Sequence, residues 1–380
     1  MSVGRGAWGW GLGFAALIVA GALAQSPARE QLARGHAMWN QRLAKSAIAA
    51  FEAAARDRET AAEAHEALGR IYTFKGWQQE GTFPGWHDEP LYRDRALAEL
   101  KASLAADPSR APAQEALRIA EGFAAAEAVD PAPPRPEVRA LDAKLQSYQT
   151  QLGAPVSEIL AAVEARANAQ ADPAPYFTGA QILVDRGEHD RAITLAERGA
   201  VVSDRFIDEN LSAYQLPGKS QGSYARGRGT AADLVGWALF LKKDYAGAAV
   251  KLEEADRLSQ GLDFTNQFHL GELARAQNAP ARARDHYLSA LSMAGGPAPL
   301  RQQATQALTA LQTGAPAAGE FDAWLAAELS RRRDERKATA LKSLVDRPLP
   351  KLALTTVDGR SYDTSSLRGK VLLLNFFASW

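Results

Sequence analysis

The residue types that most often carry covalent or metal chemistry are either missing from this 380-residue sequence or stand at spacings that leave them unusable. There is no cysteine, so the chain as written offers no disulfide framework, no thiolate ligand for zinc or iron–sulfur clusters and no thiol nucleophile. The six histidines, at positions 36, 65, 87, 189, 269 and 286, never pair at metal-ligand spacing, and His65-Glu66 lacks the second His of a zinc-protease helix. These residues predict neither metal nor cofactor. No Gly-x-Ser-x-Gly elbow is present. Gly218-Lys219-Ser220 looks superficially like a phosphate loop, but Ala213 stands where the first glycine is required and no apolar strand leads into it. Residues 205–229 therefore read as a flexible Gly- and Arg-bearing linker.

What remains is chemistry of recognition, and one place downstream where a redox centre is expected. Residues 76–90 hold Trp77, Phe83, Trp86 and His87 in an insertion between two helices. Large rings supply buried contact area at low entropy cost, which suits a bound peptide, and they serve equally to pin an insertion onto its own helices. Both readings stand. Forty-four Lys plus Arg balance forty-four Asp plus Glu, which removes any whole-chain electrostatic reason to expect nucleic acid as a partner. Most carboxylates fall beside Arg or Lys on faces that read as solvated helix surface. Arg331-Arg332-Arg333, offset by Glu328, Asp334 and Glu335, reads as a solvated helix leading out of the helical region.

The elements that must position these residues are helices. From about residue 31 to 344, Ala, Leu, Glu, Arg and Gln recur with a 3.6-residue period, punctuated by Gly, Pro and Asp-Pro. The pattern repeats. Gly236 is followed by Lys243-Asp244-Tyr245, Ala248, Leu252 and Ala255; Leu270-Gly271 is followed by Ala283, Tyr287 and Ala290. Weaker copies run through Gly35, Ala47, Phe51 and Ala54, and through Leu183, Gly187, Ala192, Ala196 and Gly199. Another runs through Leu68-Gly69 and Tyr72, its second helix, with Ala96 and Leu100, arriving 15 residues late. A spacing of roughly 34 residues resembles the tetratricopeptide repeat, over most of residues 28–313 in five or six degenerate units. The resemblance implies a helical-hairpin solenoid that contacts client proteins or peptides. An Ala-rich bundle without a superhelix is the other reading. The expected organisation is repeats over 28–128, a Pro-rich linker at 129–137, repeats over 138–313 and a connecting helix at 319–344.

Both ends read differently. After Arg5 comes an uncharged stretch with an apolar centre that finishes in Ala22-Leu23-Ala24, the pattern of a signal peptide over residues 1–24 and of an exported, periplasmic or extracytoplasmic protein. If uncleaved, the same stretch is a membrane anchor. At about Asp346 the pattern turns extended, with Asp358-Gly359 set for a tight hairpin turn, and Val371 to Phe377 is apolar on both faces, as in a central strand.

Residues 346–380 resemble the redoxins of the thioredoxin superfamily, specifically the exported TlpA and ResA type. The likeness runs through Pro348, Pro350, Leu354, Asp358-Gly359, Leu367, Gly369-Lys370 and Asn375-Phe376 to Ala378-Ser379-Trp380, with Phe377 where the family more often has Trp. It implies that a mostly α chain ends in the first β elements of an incomplete α/β thioredoxin-like domain. It also implies a Cys-x-x-Cys pair directly after Trp380, so that Ala378, Ser379 and Trp380 neighbour the redox site and the sequence stops one residue short of it. There a thiolate at a helix amino end attacks disulfides and its partner resolves the mixed disulfide, exchanging with a thiol-disulfide electron donor. The expected function is an exported thiol-disulfide oxidoreductase with a client-binding array, this chain alone being inactive and its residues 346–380 loosely docked. An extracytoplasmic scaffold without catalysis, and a peroxide-reducing antioxidant redoxin of the AhpC/TSA type, are the alternatives.

Overall fold

The computed structural model describes residues 26–80, 92–122, 135–151, 153–210, 219–311, 318–342, 353–355 and 361–363. Among them the chain is mostly helical. In order come α1 (Pro27–Asn40), α2 (Ala44–Ala54), α3 (Ala61–Glu80), α4 (Tyr92–Ala106), α5 (Ala111–Gly122), α6 (Pro136–Ser147), α7 (Val156–Ala169) and α8 (Ala174–Asp185). Then follow α9 (His189–Asn210), α10 (Lys219–Leu241), α11 (Tyr245–Ser259), α12 (Phe264–Ala276), α13 (Pro280–Leu291), α14 (Ala298–Leu311) and α15 (Ala318–Lys342). Two short strands, β1 (Ala353–Thr355) and β2 (Ser361–Asp363), pair antiparallel with Leu354 opposite Tyr362.

The helix starts follow from local sequence. Asp244 and Asp263 accept the N–H of Gly247 and Asn266 at 2.9 Å, and Ser26 accepts that of Arg29, so each caps donors that have no partner inside the helix. α6 and α13 start on proline, which loses nothing at a first turn. α11 ends where Gln260 and Gly261 take positive φ, turning the chain back toward α12.

Consecutive helices pack as neighbours: α1 on α2, α3 on α4, α8 on α9, α10 on α9 and α11, α12 on α13. A glycine governs the approach. A Cβ on Gly35 would stand 2.6 Å from the Phe51 ring, on Gly236 2.7 Å from Leu252, on Gly271 2.5 Å from Tyr287 and on Gly179 2.8 Å from Leu195. In each of these pairs the large residue lies sixteen positions after the glycine. Gly69 meets Leu100 in the same way but thirty-one positions on, because an insertion separates α3 from α4. Alanine or serine flanks the large residue on the second helix, as in Ala47 and Ala54, Ala96 and Ser103, Ala248 and Ala255, Ala283 and Ala290, all buried. Small side chains there let the next helix close in.

Three expectations change. The insertion does not begin at Gly76: α3 continues through Trp77 to Glu80, and residues 81–90 lie outside the described part. Residues 205–210 and 219–229 are not linker, since the first complete α9 and the second begin α10, while 211–218 lie outside the described part. Gly227 there serves packing: a Cβ on it would collide with the Ser203 hydroxyl of α9. Nor is α15 only a solvated exit. Phe321 is buried and Trp324, Leu325 and Leu329 pack beside it against α13 and α14, while Arg332 reaches Asp285 and Ser289, and Arg336 donates to Ser292 at the end of α13. The amino-terminal signal, residues 129–134 of the linker, and the Val371 to Phe377 strand lie outside the described residues. No helix among the described residues is long and apolar enough to cross a membrane.

The turn between α1 and α2 is gripped by elements far along the chain: Arg135 donates to the carbonyls of Asn40 and Ala169, the Ala171 N–H to Gln41, and Asn210 Nδ2 to Arg42. Glu209 accepts from the Ser46 backbone N–H at 2.9 Å and from its hydroxyl at 2.7 Å. That carboxylate caps the amino end of α2, whose own N-cap position, Leu43, has no side chain able to do so.

Candidate functional site

The residues singled out for recognition are not brought together by the described structure. Trp77 lies on the last turns of α3, whereas Phe83, Trp86, His87, Ala378, Ser379 and Trp380 fall outside the described residues. The structure instead assembles a polar and aromatic cluster between α10 and α12. Its members sit four or three positions apart on each helix, Asp233, Trp237 and Phe240 on one and Asn266, His269 and Glu272 on the other, so each set lies along one face.

At the centre is an aspartate–histidine pair. His269 Nδ1 donates to both Asp233 carboxylate oxygens, at 3.0 and 3.1 Å, and Asn266 Nδ2 donates to Asp233 Oδ1 at 2.9 Å and to the Leu252 carbonyl at 3.0 Å. All three residues are buried. Burying a carboxylate is costly unless its lone pairs are satisfied, and these donors supply that. Asn266 Oδ1 is left buried with no hydrogen-bond partner. The His269 ring lies flat on Trp237, with centroids 4.1 Å apart and 8° between planes, and Trp237 stacks in turn on Phe240 at 4.7 Å and 9°.

Two cavities flank this cluster. One, of about 400 Å³, reaches from the Asp233 and Asn266 side along Gly222, Ala225 and Gly229 of α10 to the turn after α11. The other, of about 330 Å³, is lined by Trp237 and Phe268, by Glu272 and Arg275, and by Gln303 and Gln306 of α14. There Glu272 accepts the Tyr287 hydroxyl at 2.6 Å and pairs with Arg275. Burial, then the hydrogen bond to Glu272, pushes the Tyr287 phenol far above its ordinary range, so it stays a neutral donor.

A third cavity, of about 230 Å³, lies between α1 and α3, with His36, Trp39, Glu63, Glu66 and Arg70 in its wall and Arg110 from the loop before α5. Glu66 is buried, pairing with Arg110 and, at 3.6 Å, with Arg70. Desolvation against the cavity wall lowers the His36 imidazole below its usual value, against the pull of Glu63, although over half of the side chain stays exposed. Glu66 and Asp233 thus depart from the expectation that the carboxylates line solvated faces. No group of three or more His, Asp or Glu able to hold a metal occurs among the described residues.

Sequence reasoning passed over the α10–α12 cluster because Asp233, Asn266, His269 and Glu272 resemble ordinary polar residues on amphipathic helices, and Trp237 and Phe240 ordinary core residues. The signal available was periodic: Asn266 and His269 follow Asp233 by 33 and 36 positions, one repeat on, where apolar or small residues were expected to face each other. No family model matches this chain, and a search of curated proteins finds no relative.

Proposed function

We propose that the helical body is a tetratricopeptide-type solenoid that holds extended protein segments against α1 and α3 and against α10, α12 and α14, as the client-positioning part of an exported thiol-disulfide oxidoreductase. The observation that carries the first half is the recurrent glycine seat. Four helix pairs place a large residue sixteen positions after a glycine, with small buried residues either side of it. Repeated units of one geometry build long contact surfaces rather than a single enclosed active site. Two of the cavities suit a peptide, since each joins aromatic surface to ionised groups: Trp237 and Phe268 beside Glu272 and Arg275, and Trp39 beside Glu63 and Arg70. The second half rests on the sequence motif of residues 346–380 and on a cysteine pair that these 380 residues do not contain.

Selection of peptides from a displayed library against the chain, followed by fluorescence anisotropy, tests the array. Trp237→Leu and Arg70→Glu are expected to weaken at least one selected peptide each by tenfold or more, while Val250→Glu, on an exposed face, leaves affinity unchanged. Peptides indifferent to both cavity variants would refute segment binding there. The redox half is tested by the codons after that for Trp380: an in-frame Cys-x-x-Cys whose product reduces insulin disulfides supports it, and a gene lacking such a pair sinks it.

A further inference from the structure

The cavity between α10, α12 and α14 is narrower in its demands than an aromatic surface beside charges. Its Trp237 has no free ring face to offer. His269 lies over it at 4.1 Å and 8° and Phe240 at 4.7 Å and 9°, and two parallel rings this near one indole cannot share a side. The edge is what remains, and with it the Nε1–H, which has no hydrogen-bond partner among the described residues and is not fully buried. The charges are spent on one another. Glu272 accepts the Tyr287 hydroxyl on Oε1 and the Arg275 guanidinium on Oε2, so the carboxylate is satisfied and its charge cancelled within the protein. No other charged side chain lines the space among the described residues.

The opposite wall belongs to α14. Gln303, Gln306, Ala307 and Ala310 stand at i, i+3, i+4 and i+7, which is one face of the helix. Both glutamines are exposed, and neither carboxamide has a hydrogen-bond partner among the described residues. A carboxamide carries a donor and an acceptor side by side, the complement of the N–H and C=O on a peptide backbone. Side chains three apart on a helix start about 5–6 Å from one another at Cβ, and the pliable glutamine stems bring this to the repeat of about 6.8 Å between main-chain groups on one edge of an extended chain. Ala307 and Ala310 keep the wall low, so a backbone can come close.

We infer that this cavity recognises the main chain of an extended, uncharged protein segment. Gln303 and Gln306 pair with alternate residues along one edge of the segment, and the Trp237 N–H donates to a carbonyl on its other edge. The inference rests on the reading of the helical body as an array that holds extended segments, and adds that here the backbone, not a charged side chain, is what is held.

The test is NMR titration of the 15N-labelled full chain with the capped peptide Ac-Thr-Val-Thr-Val-Thr-NH2. Binding is followed at the Trp237 indole N–H and the side-chain amides of Gln303 and Gln306, assigned from Trp237→Phe, Gln303→Met and Gln306→Met. The unmodified peptide is expected to shift all three signals. The same peptide N-methylated at every residue should bind at least tenfold more weakly, and analogues with the central Thr replaced by Lys or Glu should bind no tighter. Gln303→Met combined with Gln306→Met, at exposed positions and of similar length, should weaken the unmodified peptide at least tenfold, as expected for two lost hydrogen bonds. Wild-type affinity in that double variant, or for the N-methylated peptide, overturns the inference while leaving segment binding intact. Tighter binding of the Lys or Glu analogue does the same. Absence of shifts with every peptide also overturns it, and the displayed library read against Arg70→Glu then decides separately whether the array holds segments at α1 and α3. If Trp237→Phe fails to fold by circular dichroism, the two glutamine variants carry the test.

Discussion

At Gly271 the α12 backbone runs so close to the Tyr287 ring that a methyl group would stand 2.5 Å from a ring carbon, and the ring is fully buried. The ring has nowhere to withdraw. Alanine normally favours a helix over glycine by about 1 kcal/mol, but forcing an extra carbon into a closed core costs about 1–3 kcal/mol. Gly271→Ala is therefore expected to destabilise the protein by up to about 2 kcal/mol in urea unfolding. Gly222→Ala, with open space around its Cβ, should stabilise it by about 0.5–1 kcal/mol. Equal effects from the two changes would show that glycine spacing does not govern packing here.

Titration supplies a second test at this scale. His286 Nδ1 donates to Gln267 Oε1 at 3.0 Å, and burial lowers its imidazole pKa, although Asp285, Asp256 and Glu253 pull the other way and Arg282 adds to the lowering. A histidine with a depressed pKa binds fewer protons folded than unfolded. Its contribution to stability is therefore intact at neutral pH and lost as pH falls through the ordinary imidazole value toward the depressed one. Asp256, raised by burial, acts oppositely and only in the more acidic carboxylate range. Wild type should lose stability relative to His286→Gln between about pH 7 and 5, the region where an unperturbed histidine titrates. Parallel stability curves for the two proteins would contradict this.

At the scale of elements, α2 depends on a residue 163 positions away. The side chain of its N-cap, Leu43, cannot accept a hydrogen bond, and the Glu209 carboxylate on α9 accepts the Ser46 N–H instead. Loss of an N-cap costs about 0.5–2 kcal/mol. Glu209→Ala is expected to raise amide exchange at Ser46 and through the first turn of α2 while leaving α13 protected. Unchanged exchange there would mean that solvent caps the helix as well as Glu209 does. Legibility in the sequence divides along the same line. Gly35 with Phe51, or Gly236 with Leu252, could be read as helix-packing pairs because both partners fall within one repeat and keep one spacing. The α9–α10 region could not. Gly222, Gly227 and Gly229 carry the composition of a linker, and only the closeness of Ser203 on the preceding helix explains why Gly227 sits inside one. The buried carboxylates were hidden for a similar reason, since Asp233 finds its partner at His269, and Glu66, beside Arg70 of its own helix, finds a second at Arg110, outside it.

For the molecule as a whole, the consequence is that two helical arrays joined through a proline-rich stretch are held together by the α1–α2 corner rather than by chain order alone. In a linear stack each unit is stabilised by its neighbours, and a weak junction lets the two sides unfold separately. Here Arg135 ties Asn40 to Ala169, Glu209 holds Ser46, and Asn210 holds the Arg42 carbonyl, so opening the junction breaks several hydrogen bonds at once. Each is worth about 1 kcal/mol, more where a charge is involved. The arrays should therefore melt in one calorimetric transition in wild type. Removing two of the ties, in the double variant Arg135→Ala with Glu209→Ala, should split it, with α1–α5 melting below the array that begins at α6. A single transition in the double variant, shifted but undivided, would place the coupling in the apolar packing of α2 against α9 instead, and two transitions in wild type would mean that the corner contacts are too weak to join the arrays at all.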